Sequence, residues 1–181
     1  MSDPYIPQPG RLISIIEMQQ VRETGKENGE KTAPTYAILP NGERVYRFFW
    51  IGVLTGTKKD EHGSIAGFLS DPTGMIRMKV HPQYQQKAYA ALSLIEAPQF
   101  IAVSGKLNIY APPDAKSDEL YISLKPDDLA IVTKLDRLLW VKETLQATDG
   151  RYRDAPEWWT SERGNMITLV EEETARLAVP A

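Results

Sequence analysis

The stretch L69-S-D-P-T-G-M-I-R-M-K-V80 decides the fold. It reads as strand, tight turn, strand. Pro72 pre-sets φ for the second turn position and Gly74 relieves the exit, while the Asp71 side chain can accept backbone N–H groups two residues on. Met75, Arg77 and Lys79 alternate with Ile76, Met78 and Val80, the pattern of a strand with one wet face and one buried face. Asp71 and Thr73 sit close to an aspartic-protease "DTG", but Pro72 interrupts that motif and no second copy exists. The four residues are a corner.

Working outward, "SIAGFLS" (64–70) is the strand before the turn, and "RVYRFFWIGVLTGT" (44–57) is an earlier, long strand rich in aromatic and β-branched residues. Gly52 marks a bend or bulge in it. "TKKDEHG" (57–63) is a polar loop. After the hairpin, "QYQQKAYAALSLIEA" (83–97) has apolar residues at three- and four-residue spacing between Pro82 and Pro98, so it predicts a short helix. "QFIAVSGKLNIY" (99–110) and "LYISLKP" (120–126) are two more strands around a loop, 111–119. Three strands, a helix and two strands make the succession of a mainly β, five-stranded OB-fold Greek-key barrel over 44–126, with its helix between strands three and four.

The flanks read differently. Residues 1–43 are an N-terminal arm with a proline-rich lead-in. Within it, 11–23 fits either a short helix or one half of an extra hairpin with "PTYAIL" (34–39), and "PNGE" (40–43) is a turn. Residues 127–150 hold a helix that Thr133 can cap and Asp149-Gly150 can end, with Asp127-Asp128 suited to its start. Residues 151–181 are an acidic tail with a second helical segment, 161–177, weakened by Gly164.

Charge follows the same division. The arm carries 4 basic and 6 acidic residues, the barrel 10 and 7, and the remainder 7 and 11, so the basic excess lies in the barrel. The 181 residues contain no cysteine, which excludes disulfides and thiolate chemistry and fits a cytoplasmic chain. The start Met1-Ser2-Asp3-Pro4 lacks a secretory pattern, and no apolar run is long enough for a membrane helix. His62 and His81 stand in different segments without HExxH or a carboxylate cluster. No phosphate-loop, dinucleotide or nucleophile-elbow motif occurs. No enzyme, metal or cofactor is expected.

An OB barrel that binds single strands needs cations for phosphates and flat side chains for bases. The candidate cations are Arg47, Arg77, Lys79 and Lys106; Lys58-Lys59 is discounted because Asp60-Glu61 follows it. The candidate stackers are Phe68, His81, Tyr110 and Tyr121, while Trp50 is read as core or interface rather than stacker. On the helix after the barrel, Leu135, Leu138, Leu139 and Leu145 form an apolar stripe with Trp140 at its margin. A closed barrel has little need of this stripe, so it packs on the barrel's end or on another protein.

Several of these stretches together, "APTYAILPNGERVYRFFWIGVLT", "SDPTGMIRMKVHPQY", "PQFIAVSGKLNIY" and "LYISLKPDDLAIV…DRLLWVKETLQAT", resemble the archaeal replication protein A-associated proteins. These are single-OB-fold proteins similar to the middle subunit of replication protein A. The resemblance spans roughly 33–148. It implies single-stranded DNA binding in replication or repair beside a larger replication protein A-like subunit. It also implies an assembly role, in a homo- or hetero-oligomer, for the helix at 133–148. The winged-helix domain of the middle subunits has no counterpart after residue 150.

Overall fold

The computed structural model describes residues 10–26, 29, 35–110 and 120–178. The elements are β1 (Arg11–Leu12), α1 (Ile15–Gln19), β2 (Glu23–Lys26), β3 (Thr35–Ile38), β4 (Arg44–Val45), β5 (Phe48–Lys59), β6 (Ile65–Asp71), β7 (Gly74–Val80), α2 (Gln86–Ser93), β8 (Gln99–Tyr110), β9 (Tyr121–Ile131), α3 (Lys134–Arg151) and α4 (Glu157–Leu177).

Five strands run in the order β5-β6-β7-β9-β8, and β8 pairs back onto β5, so the sheet closes. Every neighbouring pair is antiparallel except β7 with β9. This is the Greek-key barrel expected from the element order, with α2 between the third and fourth strands. Phe48, Trp50, Leu54, Leu69, Met78, Ile101, Val103 and Leu124 point inward and are buried.

Two irregularities let the strands curve. In β5 the register slips between Leu54 and Gly56, two residues beyond the bend expected at Gly52. Gly52 is instead a point of close approach, where a Cβ would lie 2.6 Å from the Ser70 carbonyl oxygen. In β9 the register slips opposite Ser104 and Gly105, which pair with Asp128 and Pro126 and leave Asp127 as the extra residue. The bulge explains why a strand continues through Pro126-Asp127-Asp128, residues that resemble a helix start. The barrel therefore begins at Phe48 and ends at Ile131, not at 44 and 126. A proline at a bulge costs no ladder hydrogen bond.

The N-terminal arm contains both alternatives left open by its sequence. α1 is a helix, and β2, β3 and the short β4 form a separate antiparallel sheet. Glu23–Lys26 is the first strand of that sheet and pairs with Thr35–Ile38. β1 adds to the barrel in parallel beside β5.

The DPTG corner is also the dock for this arm. One carboxylate oxygen of Asp71 accepts the Thr73 N–H (2.7 Å) and hydroxyl (2.6 Å). The other accepts the Ile15 N–H (2.9 Å) and the Trp50 indole N–H (3.0 Å). Thr73 Oγ1 accepts the Ile16 N–H at 3.0 Å. The side chains thus satisfy the first N–H groups of α1, which has no intrahelical acceptor for them. Burial pushes the Asp71 carboxyl up, against the pull of these hydrogen bonds.

α3 begins with a capping box between Thr133 and Asp136, as its sequence suggests, but runs through Gly150 to Arg151. It packs on β1, β5 and α4. α4 tolerates Gly164 and returns along α3, burying Trp159 and Met166. Asp149 joins the two helices: it accepts the Trp159 indole N–H at 2.8 Å and a two-point bond from Arg163. Two residues on, Arg151 donates to both oxygens of the fully buried Glu17 and to the Leu12 carbonyl. Residues 151–178 are therefore an integral layer of the fold.

Candidate nucleic-acid interface

Alternation and register decide which side chains share the outside of the barrel. Lys58 pairs with Ala66, and Ala66 with Lys79. The parallel pair Met78–Leu124 sets Lys79 beside Lys125. Lys125 in turn faces Lys106. One row across the barrel is therefore Lys58, Ala66, Lys79, Lys125, Lys106. The neighbouring row is Gly56, Phe68, Arg77, Ser123, Asn108, and the last rung of the β8–β9 hairpin is Tyr110 opposite Tyr121.

The structure thus gathers Phe68, Arg77, Lys79, Lys106, Tyr110 and Tyr121 on one continuous surface. Tyr110 and Tyr121 are 55% and 62% exposed, which leaves their rings open to a base. Arg77 lies over Phe68, its guanidinium carbon 5.4 Å from the ring centroid, a cation–π pair that presents charge and a flat surface together. Lys79 leans to Asp60 at 3.6 Å. Burial pushes the Asp60 carboxyl up, but N–H bonds from Ser64 and His62, with Lys79, leave it below the usual carboxylate range. Among the described residues, Lys58, Lys106 and Lys125 face no acid.

His81 leaves β7 at the same end and stacks against the exposed Tyr84, with ring centroids 4.7 Å apart. Arg47 stands apart: it lies in the link before β5, not on a strand, and its guanidinium pairs with Asp127 at 2.9 Å. Trp50 is core, as its pattern suggests: it is fully buried and bonded to Asp71. Lys125, Tyr84 and Asn108 are additions. Lys125 was legible in the alternation Tyr121, Ser123, Lys125, and was hidden by taking the adjacent Pro126 as the end of the strand. Lys58, discounted for its acidic neighbours, takes a place in the row because Asp60 turns to Lys79.

The outer face is open at the Phe68–Arg77–Lys79 end. At the Val53–Ser70 end it meets α4, with a cleft of about 390 Å³ between them lined by Leu169 and Glu172.

The helix stripe divides in two. Leu138 and Trp140 are 5% and 3% exposed, so they are not available to a partner. The Trp140 indole N–H donates to the Phe49 carbonyl at 3.0 Å, and its ring meets Trp50 edge to face at 6.2 Å. Leu145 is half-buried in the chain's own core. Leu135 and Leu139, by contrast, are about half exposed. Leu139 borders an apolar cleft of about 320 Å³ with Phe49, Ile51, Ala102 and Val132. The partition follows from the barrel: the face of α3 toward β5 is used at home, and only its flank remains.

Among the described residues no cluster of His, Asp and Glu is arranged to hold a metal ion. No helix of the described residues is long and apolar enough to cross a membrane.

No family model and no curated protein sequence matches the chain. Among solved structures, a chain of the S. pombe Stn1-ten1 complex superposes with a TM-score of 0.54 at 11% identity, over 66% of this chain and 82% of that one. The N-terminal domain of PriB from Thermoanaerobacter tencongensis gives a TM-score of 0.35 at 11% identity, over 49% of this chain and 97% of that one. The single-stranded DNA binding protein of Thermus aquaticus gives 0.33 at 17% identity, over 49% and 50%. Strand order, closure and the first of these likenesses together make this chain a single-OB-fold protein, with helices appended after its barrel.

Proposed function

We propose that this chain is a non-enzymatic, single-stranded DNA-binding subunit of a heteromeric complex. The observation that carries the reading is the row Lys58–Lys79–Lys125–Lys106, set against Phe68 with Arg77 and the open pair Tyr110–Tyr121. A single strand offers phosphates and unstacked bases at short, regular intervals. Rows of cations beside rows of flat side chains match both.

The flank of α3 supplies the second half of the proposal. Leu135, Leu139 and the apolar cleft along Phe49 and Ala102 would join this barrel to a larger subunit. A weak barrel then gains affinity through its neighbours. The replication protein A-like assignment, with roles in replication and repair in the cytoplasm, is supported by the sequence resemblance over 33–148. The likeness to a chain of a two-protein complex is in keeping with assembly.

The rival reading is an assembly subunit whose barrel face carries little DNA, favoured by the same apolar flank. Titration of fluorescent oligo-dT at two salt concentrations separates the two. Phosphate contacts give an affinity that falls steeply with salt. No binding at low salt, with a partner still captured through α3, decides for the rival.

A further inference from the structure

β8 outruns β5. Gly105 pairs with Phe48, the first residue of β5, and Lys106–Tyr110 then have β9 on one side only. The edge so exposed does not face open solvent. Across from it stands the β2–β3–β4 sheet, and between the two lies a cleft of about 340 Å³. Its walls include Thr35, Tyr36 and Tyr46 on one side and Lys106, Asn108 and Lys125 on the other.

We infer that this cleft is a nucleotide subsite, which takes single-stranded DNA as it runs off the barrel face. The inference rests on the function proposed above and extends the path beyond the barrel. Three features select the ligand class. Among the described residues none that lines the cleft is acidic, and Lys106 and Lys125 bring two cations to it. Tyr36 and Tyr46 make one wall aromatic and meet edge to face at 5.5 Å, with the Arg44 guanidinium 4.6 Å over the largely buried Tyr36 ring. Among the described residues no second strand pairs with β8 at Lys106–Tyr110, which leaves N–H and C=O groups of the kind that read a base edge. The volume suits one nucleotide, at the small end of ligand sites. Lys106 and Lys125 belong both to the cleft and to the row across the barrel, so the two surfaces are continuous.

Thr35 tests this without touching the barrel, since it is exposed on the cleft wall. Oligo-dT of graded length, from about 4 to 16 nucleotides, is titrated against the wild-type chain, Thr35→Glu, Thr35→Gln and the double variant Lys58→Ala/Lys79→Ala. Thermal melts confirm that each variant is folded. Thr35→Glu is expected to lower affinity for the longest oligomers about tenfold, the loss of one well-placed base. The shortest oligomers, which fill only the barrel face, stay unchanged, and Thr35→Gln behaves as wild type. The Lys58→Ala/Lys79→Ala variant weakens every length. Equal affinity of Thr35→Glu and wild type at all lengths overturns the subsite and leaves the barrel reading intact; a cleft that accepts a strand of protein gives that same result. Failure of the wild-type chain to bind any oligomer overturns the barrel reading and the subsite together.

Discussion

Lys106 and Lys125 face each other directly as cross-strand partners on the outside of the β8–β9 hairpin. Like charges in that position repel, at a cost of about 0.2–1 kcal/mol. The free protein gains nothing from the pair, whereas a bound polyanion would. Lys125→Gln is therefore expected to stabilise the free chain by a few tenths of a kcal/mol and to weaken single-stranded DNA. The slope of log affinity against log salt should fall by about 0.7, the share of one phosphate contact. Melting curves and salt titrations of the same variant check both halves.

Tyr110 is expected to act through its ring. Tyr110→Ala should cost roughly 1–3 kcal/mol of DNA affinity, while Tyr110→Phe should retain it. Anisotropy with oligo-dT measures the difference. Equal losses from both changes would mean that the hydroxyl, not the ring, makes the contact.

Asp71 is expected to matter to the fold alone. Asp71→Ala strands the donors on Trp50, Ile15 and Thr73 at once. Each buried orphan costs about 1–3 kcal/mol, so a loss above about 3 kcal/mol is expected in denaturant unfolding. Asp71→Asn keeps one acceptor oxygen and should lose less.

Acid should loosen α4. The hydrogen bonds from Arg163 hold the Asp149 carboxyl below the usual carboxylate range, with Trp159 assisting. A lowered folded-state value means that the carboxylate stabilises the fold above its ordinary pKa. That contribution is lost as pH falls through the lower, folded value. Trp159 emission should shift in that acid window, below pH 4, and the shift should be absent in Asp149→Asn.

The two halves of the α3 stripe should respond differently. Leu139→Asp places a charge on an exposed flank and is expected to block partner capture with little change in melting. Leu138→Asp buries a charge and should unfold the chain before assembly can be read.

How much of this was legible depended on whether a signal was local. The barrel was, because each strand carries its own period-two alternation and the DPTG corner carries its own turn chemistry. The bounds of β9 were not: Pro126-Asp127-Asp128 has the composition of a helix start, and only the register against Gly105 makes it a bulge. α4 was obscured by Gly164, whose cost is repaid by burial of Trp159 and Met166 against α3, a contact invisible in one segment. The stripe on α3 was found, but not its division. Leu138 and Leu139 are adjacent and chemically identical, and only the way α3 docks on the barrel and α4 decides which of them is covered. The same holds for Arg47, a cation by sequence whose partner, Asp127, lies 80 residues away.

The Glu17–Arg151 pair sets a limit on trimming. A chain cut just after the last barrel strand would remove the counter-charge of Glu17 together with α4, which packs on α1 and helps to cover that carboxylate; a charge left without its partner is costly. A minimal barrel made from this protein should therefore either keep residue 151 or replace residue 17 with an uncharged one of like volume. The two ends of the sequence must be shortened together or left alone.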